Sequence, residues 1–480
     1  MAYRGATVPA PGIWPEDRPA LAPARAAVAE GAVLVFFFIF YANLATVVAR
    51  FHGVPQIIAS GVVLLLLIPL ARHMVLERQP LVVTPVLILV FAFLGALFLS
   101  AALSKDPSVS RTSVVSYLTE GLLLYLLVSN AVRTTKALRQ VVWVLILAGS
   151  FMGLLSIYQE VTHTYANDYA GLAQIDRLDT GGGFNVASAD APEKILRPRL
   201  GGPFGSENRY AQILAAVLPL ALLQAFRGRK KSHRLTAAGG ALLIAGGLCL
   251  TFSRGAAIAV VATLVAMVVF RELRIRHVLA LLAILAALVV LVVPDYITRL
   301  SSLGGVAALS SSESSSDSSQ QPDASIVGRQ TENLAALNSF LDHPVVGVGP
   351  GVYFREYSRE YANRLGLKYL QSDRRGHSLY LEMAADTGVI GLGAFLAMVG
   401  TALALLYRGA RQWRGRDPDR ALLASSFFFA LFAYLACAVF LHLSYQRYFW
   451  VLLALASAVI WALRREAEDE LVSARVGTPA

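Results

Sequence analysis

The sequence DHPVVGVGPG at residues 342–351, followed by GHSLYLEM at residues 376–383 and an apolar stretch through Phe395, decides the fold. Here a polar segment punctuated by glycine runs into a stretch that is long and apolar enough to cross a bilayer. Lipid offers no hydrogen bonds to an open backbone, so a span of this kind must be a helix. The stretch therefore predicts that polar chemistry meets a transmembrane helix at one surface of a membrane.

The composition extends this prediction to the whole chain. Of the 480 residues, 56% are apolar and only 15% are charged, which exceeds the apolar share of soluble domains. The predicted fold is an all-α polytopic membrane protein with about 12 transmembrane helices, because apolar runs of roughly 18 to 25 residues recur. The predicted spans are residues 31–49, 54–71, 81–103, 114–132, 138–158, 207–226, 236–252, 255–270, 278–294, 387–407, 421–441 and 446–463.

The distribution of basic residues predicts the orientation of the spans. The net charge of +11 could indicate a nucleic-acid surface, but the basic residues are scattered over alternate connections without a folded polar domain. The richest connections, around residues 227–234 and 408–420, fall on one side, as the positive-inside rule requires. That side, together with the N-terminus, is expected to be cytoplasmic.

The predicted organisation follows from these spans. Residues 1–30 are expected to be a disordered cytoplasmic N-terminus, 31–294 to hold helices 1–9 with an outer loop at 159–206, and 295–386 to form a large outer loop with a Ser-rich insert. Residues 387–463 would hold helices 10–12, and 464–480 a cytoplasmic tail. Within the large loop, apolar spacing from Ile326 to Leu341 predicts a helix that Pro344 ends, and residues 352–367 a second helix.

Three arginines fall on the outer side. Arg199 directly precedes the sixth span, and Arg254 lies in the hairpin TFSRG at residues 251–255, which is so short that Arg254 must lie at the membrane boundary. Such an arginine either extends to lipid headgroups or grips phosphate oxygens with its guanidinium fork. Arg329, beside Gly328 on the loop helix, is either a solvated surface residue or a further cation for the same ligand.

His377 lies just before a span, where a histidine is often structural. Neighbouring arginines would disfavour its protonated form and leave it available as a base for a hydroxyl. Tyr380 lies one helical turn later and could share its face. Glu120, inside the fourth span, is either a functional intramembrane carboxylate or a partly hydrated interfacial one. Glu382 and Asp386 are expected to be structural or to pair with the arginines.

The motifs that the sequence contains and lacks restrict the kinds of reaction it could catalyse. The sequence has no Walker loop, no zinc-type His/Cys spacing and no Asp-rich pair for Mg²⁺, so no metal or cofactor is expected. Tyr353, Tyr357 and Tyr361 recur on one helix face, which predicts either packing or flat faces for sugar rings. Nucleotide donors are absent from the outer side of a membrane, so a reaction there needs a donor already activated in the lipid.

Five motifs, in this order and spacing, resemble the bacterial O-antigen ligase and O-antigen (exopolysaccharide) polymerase family. They are RLGGPFGSEN at 199–208, TFSRG at 251–255, GR at 328–329, HPVVGVGPG at 343–351 and HSLYLE at 377–382. The resemblance covers about residues 195–400, and the ordered set is more specific than any one motif. It implies about twelve spans with a large periplasmic loop between helices 9 and 10.

The resemblance also implies an activity. Members of the family take a glycan from undecaprenyl pyrophosphate and transfer it to an acceptor hydroxyl, on lipid A core or a growing glycan, at the periplasmic face of the inner membrane. The transfer uses no metal, and in-line attack would invert the anomeric centre. The implied catalytic residues are His377 and Arg254. The implied pyrophosphate ligands are Arg199, Arg254 and Arg329. Tyr380, Glu120 and Asn208 are candidate supporting residues that the resemblance does not itself assign.

Two departures from the family pattern leave the acceptor open. Asn333 and Leu334 stand where an aromatic residue is expected after Arg329, and the acidic residue of the later motif is displaced to Asp386. Ligase, polymerase and protein-glycosylating transferase all stay open. A multi-span transporter of an anionic or lipid-linked solute is the alternative from another class. A transporter should show broken spans and an internal repeat, whereas here polar groups gather at the outer rim.

Overall fold

A computed structural model describes residues 23–175, 184–186, 195–292, 324–366, 375–442 and 446–476, and most of these are helical. The Ser-rich tract at 310–319 lies outside the described residues. The helical segments are α1 (Pro23–Tyr41), α2 (Leu44–Phe51), α3 (Gln56–Leu76), α4 (Pro85–Ala102), α5 (Pro107–Ala131), α6 (Thr135–Val161), α7 (Glu207–Arg227), α8 (Lys231–Cys249), α9 (Arg254–Val269), α10 (Ile275–Val292), α11 (Ala324–Asp342), α12 (Ser358–Arg364), α13 (Leu379–Trp413), α14 (Pro418–Cys437) and α15 (Gln446–Val476).

Four short strands lie in the segment between α6 and α7, where the sequence predicted an outer loop. Antiparallel pairs form between β1 (Gln174–Ile175) and β4 (Leu200–Gly202), and between β2 (Phe184–Val186) and β3 (Ile195–Arg197). These pairs are too short to form a sheet domain, and the predicted all-α class describes the membrane part of the chain.

Among the described residues, eight helices are long and apolar enough to cross a membrane, or nine if one bent pair counts as a span. The eight are α3, α4, α5, α6, α7, α13, α14 and α15. The chain is therefore a multi-pass helical membrane protein. The count of about twelve spans stays a prediction.

The bent pair corrects the prediction for the first span. Helix α1 begins at Pro23, inside the stretch expected to be disordered, and a bend of 59° separates it from α2. Alanines at 24, 26, 27 and 29 favour the earlier start, because alanine has the highest helix propensity. At the bend Asn43 adopts φ 54°, which asparagine tolerates, and its amide nitrogen donates to Pro203 O at 2.8 Å.

Several helix starts are specified locally by a capping residue followed by proline. Thr84, Asp106 and Asp417 cap α4, α5 and α14, and each is followed by a proline in the first turn. The Asp106 carboxylate accepts from the backbone N–H groups of Ser108 and Val109 at 2.9 and 3.0 Å. Such caps satisfy backbone donors that have no partner within the helix, so these starts can be predicted from sequence.

Helix α7 forms the centre of the bundle. In the apolar 18-residue stretch of α7, 89% of the residues are buried. The corresponding share in α3, at the periphery, is 11%. It packs against α6, α8, α9 and α14. Because so many neighbours surround α7, the polar residues of its first turn lie at the middle of one end of the bundle.

The described part of the large loop matches the predicted helices. Helix α11 ends at Asp342, just before Pro344, and α12 follows a π-helical turn at Tyr353–Tyr357. Tyr353, Tyr357 and Tyr361 are all buried and pack with Ala335, Ala336 and Val352. The tyrosine stripe is therefore a packing surface.

Helix α13 is broken at Gly388, whose φ of 63° and ψ of −165° only glycine adopts readily. The break separates residues 379–387 from the long apolar part of the helix. Just before it, the Asp386 carboxylate accepts from the backbone N–H groups of Gly351 at 2.9 Å and Tyr353 at 3.1 Å. Asp386 thus holds the glycine-punctuated loop against the end of the span, in the structural role expected for it.

Candidate functional site

Arg199 ties three segments together at one end of the bundle. Its Nε donates to Thr251 O at 3.1 Å, its Nη1 pairs with Glu207 at 2.5 Å, and its Nη2 lies 3.5 Å from Asn208 Oδ1. Both Arg199 and Glu207 are buried. The guanidinium group therefore fixes the segment before α7 to the first turn of α7 and to the α8–α9 hairpin.

Arg254 is the first residue of α9 and is partly exposed. The hairpin before it turns through Phe252 at φ 51°, and the Ser253 hydroxyl donates to Asn208 Oδ1 at 2.8 Å. Asn208 thus receives hydrogen bonds both from Arg199 and from the residue preceding Arg254. The structure brings these three predicted site residues to one place.

Arg209 and His442 connect this place to His377. An Nη2 atom of Arg209 lies 3.1 and 3.3 Å from the two ring nitrogens of His442. The rings of His442 and His377 are 6.1 Å apart at 77°. Burial, with added repulsion from Arg209, Arg375 and His377, lowers the pKa of His442 to about 2, so its ring is neutral.

The loop that carries His442 also positions the start of α13. The backbone N–H of Leu379 donates to Ala438 O and Leu441 O, each at 2.9 Å. On the other side of the same loop, Phe440 packs against Gly255, the second residue of α9. The loop between α14 and α15 therefore lies between the Arg254 hairpin and the His377 segment.

The Nδ1 atom of His377 is in direct contact with a carboxylate oxygen of Glu332. The Glu332 side chain is 1% exposed, whereas that of His377 is 24% exposed. The Glu332 carbonyl oxygen accepts from the Tyr353 hydroxyl at 3.0 Å, which fixes this turn of α11. A buried carboxylate thus engages one ring nitrogen, while part of the imidazole stays accessible.

Arg375 adds another cation beside His377. Its Nη1 donates to Glu382 Oε1 at 3.3 Å, and its guanidinium carbon lies 4.4 Å from the centre of the Phe354 ring. Glu382, which was expected to be structural or to pair with the predicted arginines, thus pairs with an arginine that the sequence analysis did not single out.

Three helices begin at this end of the bundle. The capping residues of α7, α9 and α13 are Ser206, Ser253 and Ser378, and all three have extended backbones without a side-chain capping bond. Helix N-termini carry partial positive charge and free N–H groups. Together with Arg199, Arg209, Arg254 and Arg375, they make an environment that favours an anionic ligand.

Three further residues were predicted from the sequence: Arg329, Tyr380 and Glu120. Arg329 lies one turn before Glu332 on α11 and is partly exposed. The Tyr380 hydroxyl donates to Leu435 O at 3.0 Å, so it anchors α13 to α14 and is engaged in structure. Glu120 lies in the π-helical turn Tyr117–Leu123 of α5 with an exposed side chain.

Sequence reasoning missed Glu332, Arg209 and His442. Glu332 follows Arg329 by three residues, a helical spacing that places both on neighbouring positions of one face. Arg209 lies next to Asn208 in a quoted motif, and His442 lies in a short connection on the predicted outer side. Only tertiary packing shows that Glu332 and His442 lie beside His377 and that Arg209 contacts His442.

The bundle and its cluster define a multi-pass membrane protein with an arginine-rich site at one end, where three helices begin. Residues 239–396 match the model of a family described as O-antigen ligase. The match includes Arg254, Arg329, Glu332 and His377, and it confirms the resemblance that the ordered motifs indicated. It supports, in general terms, a transferase of the O-antigen ligase type. No curated protein matches the chain.

Proposed function

We propose that this protein is a membrane glycosyltransferase that moves a glycan from undecaprenyl pyrophosphate to an acceptor hydroxyl at the periplasmic face of the inner membrane. One observation carries the proposal. The buried Glu332 holds a partly exposed His377 beside a cluster of arginines at three helix starts. Glycosyl transfer from a lipid diphosphate needs this combination of a base and an anion site.

The donor diphosphate would bind where the helix starts and arginines converge. Arg254 is the partly exposed arginine of the α8–α9 hairpin, so its fork is the group best placed to grip diphosphate oxygens. Arg199 pairs with Glu207. It would hold the hairpin in place and add positive electrostatic potential at the diphosphate. Arg329, one turn from Glu332, would reach the same anion from the loop side. As the diphosphate leaves, these cations would stabilise its growing negative charge.

The acceptor would be activated at His377. Because Nδ1 faces Glu332, the proton of the acceptor hydroxyl would pass to Nε2, and the carboxylate would stabilise the resulting imidazolium. The acceptor oxygen forms a bond to the anomeric carbon while the bond from that carbon to the phosphate oxygen breaks. Its electron pair leaves with undecaprenyl pyrophosphate. A single in-line displacement of this kind inverts the anomeric configuration, and no step in it calls for a metal.

The proposal is tested by deleting the gene and comparing lipopolysaccharide ladders with secreted polysaccharide. Loss of the ladder with accumulation of lipid-linked glycan identifies a ligase, and products limited to a single repeat identify a polymerase. The purified protein, reconstituted with a lipid-linked donor and an acceptor, should form the glycoside. A protein that moves the donor across the bilayer without forming product would be a transporter, and the proposal would be wrong.

A further inference from the structure

A cavity of about 560 Å³ lies between α7, α8 and α10, at the end of α7 opposite to His377. Its wall is formed by apolar side chains that include Leu222, Ala238 and Leu281. Its rim carries Arg229, Lys231 and Arg234. The cavity therefore has an apolar interior and a cationic entrance.

The charge at the entrance is not neutralised within the cavity. The described residues that line it include no aspartate or glutamate. Arg229 pairs with Asp419 on α14 at 3.3 Å, yet its side chain stays 68% exposed. Arg234 donates from Nε to Ala225 O at 3.0 Å, which holds its guanidinium group at the end of α7. Lys231, in the first turn of α8, is exposed.

The positive-inside rule accounts for basic residues at this end, but it does not require a cavity behind them. The combination of shape and charge restricts the ligand. An inorganic phosphate would use the rim and leave the apolar wall unfilled. A zwitterionic lipid would fill the wall without a net charge to match the rim.

We propose that this cavity binds one anionic glycerophospholipid from the adjacent leaflet. The phosphodiester lies against Arg229 and Lys231, and one acyl chain lies along the wall formed by α7, α8 and α10. Basic pockets between membrane helices are suited to anionic headgroups, because each nearby cation contributes to the attraction. The inference does not depend on the proposed glycosyl transfer.

The test measures lipid binding to the purified full-length protein by native mass spectrometry, with phosphatidylglycerol, phosphatidylcholine and inorganic phosphate as probes. We expect phosphatidylglycerol to bind at least tenfold more tightly than phosphatidylcholine. The double variant Arg229→Gln/Lys231→Gln should weaken phosphatidylglycerol binding roughly 30-fold, given about 1 kcal/mol for each cation. A second variant, Ala238→Phe, should weaken binding by filling the cavity without changing its charge.

Arg416→Gln is the matched control, because Arg416 is an exposed arginine at the same end but outside this cavity. It should leave phosphatidylglycerol binding within about twofold of the wild type. If Arg416→Gln weakened phosphatidylglycerol binding as much as the double variant, the binding would depend on general surface charge. That result would overturn the proposal. Equal affinity for both lipids would also overturn it. Competition by inorganic phosphate, with binding unaffected by Ala238→Phe, would assign the site to free phosphate instead.

Discussion

The Nδ1 atom of His377 pairs with the carboxylate of Glu332, and the two residues come from different parts of the large loop region. Glu332 lies on α11, and His377 lies two residues before α13. The carboxylate is buried, so it fixes the ring in one orientation and selects which nitrogen faces the accessible side. This relationship assigns Glu332 as a positioning residue for the proposed base.

Glu332→Gln should therefore slow glycan transfer by about 10²-fold, because a neutral amide cannot stabilise the imidazolium formed during the reaction. The measurement is the rate of transfer at saturating donor, together with KM for the donor. We expect kcat to fall while KM changes little. Glu360→Gln, an exposed carboxylate on α12, is the control and should retain wild-type activity. A variant with normal kcat would show that the pair has no part in the reaction.

His377→Ala should lower transfer by about 10²-fold to 10⁴-fold, the usual contribution of a general base. The protein should stay in the membrane, and its melting temperature should fall because the buried Glu332 carboxylate loses its contact with His377. His163→Gln changes an exposed histidine that follows α6 and provides the comparison. Substantial transfer by His377→Ala in cells would remove His377 from the catalytic assignment.

Arg254 and Arg199 should respond differently to substitution. Arg254→Lys should reduce kcat/KM by about tenfold or more without changing stability, because an ammonium group cannot fork onto a diphosphate. Arg199→Ala should instead lower the free energy of unfolding by about 3 to 5 kcal/mol, because it leaves Glu207 buried without its partner. Thermal melts and transfer assays on both variants separate the two roles. Near-normal activity of Arg254→Lys would identify Arg254 as an interfacial residue.

Asp386→Asn should loosen the loop at residues 347–353. The amide group can accept only one of the two backbone hydrogen bonds from Gly351 and Tyr353, so one N–H loses its partner. The expected cost is about 1 to 3 kcal/mol of stability, with faster proteolysis of the loop. Asp469→Asn, on the exposed part of α15, should change neither measurement. An unchanged cleavage rate in Asp386→Asn would contradict the structural role of Asp386.

The features that the sequence predicted are those with local causes. The apolar runs, the capping residues Asp106 and Asp417, and the stop at Pro344 act over a few residues, so the helices they define could be placed from the sequence. The hairpin at Arg254 was equally predictable, because its five residues leave no other place for the arginine. The break at Gly388 and the bend at Asn43 could not be predicted from the sequence, because they depend on contacts with distant segments.

The site could be predicted only in part for the same reason. Arg199, Arg254 and His377 were grouped by topology, which says that they share a surface but not which groups connect them. Glu332 on α11 contacts His377, and His442 after α14 links His377 to Arg209 in the first turn of α7. No local pattern marks a glutamate on an amphipathic helix as the partner of a histidine 45 residues later.

The most direct measurement of the central claim is a structure of the protein in a lipid nanodisc with an unreactive analogue of an undecaprenyl-pyrophosphate glycan. We predict that the diphosphate lies within hydrogen-bonding distance of Arg254, at the N-termini of α7 and α9. We also predict that the anomeric carbon faces the accessible side of the His377 ring. A diphosphate bound at the opposite end of α7, or on the far side of α13 from His377, would contradict the account.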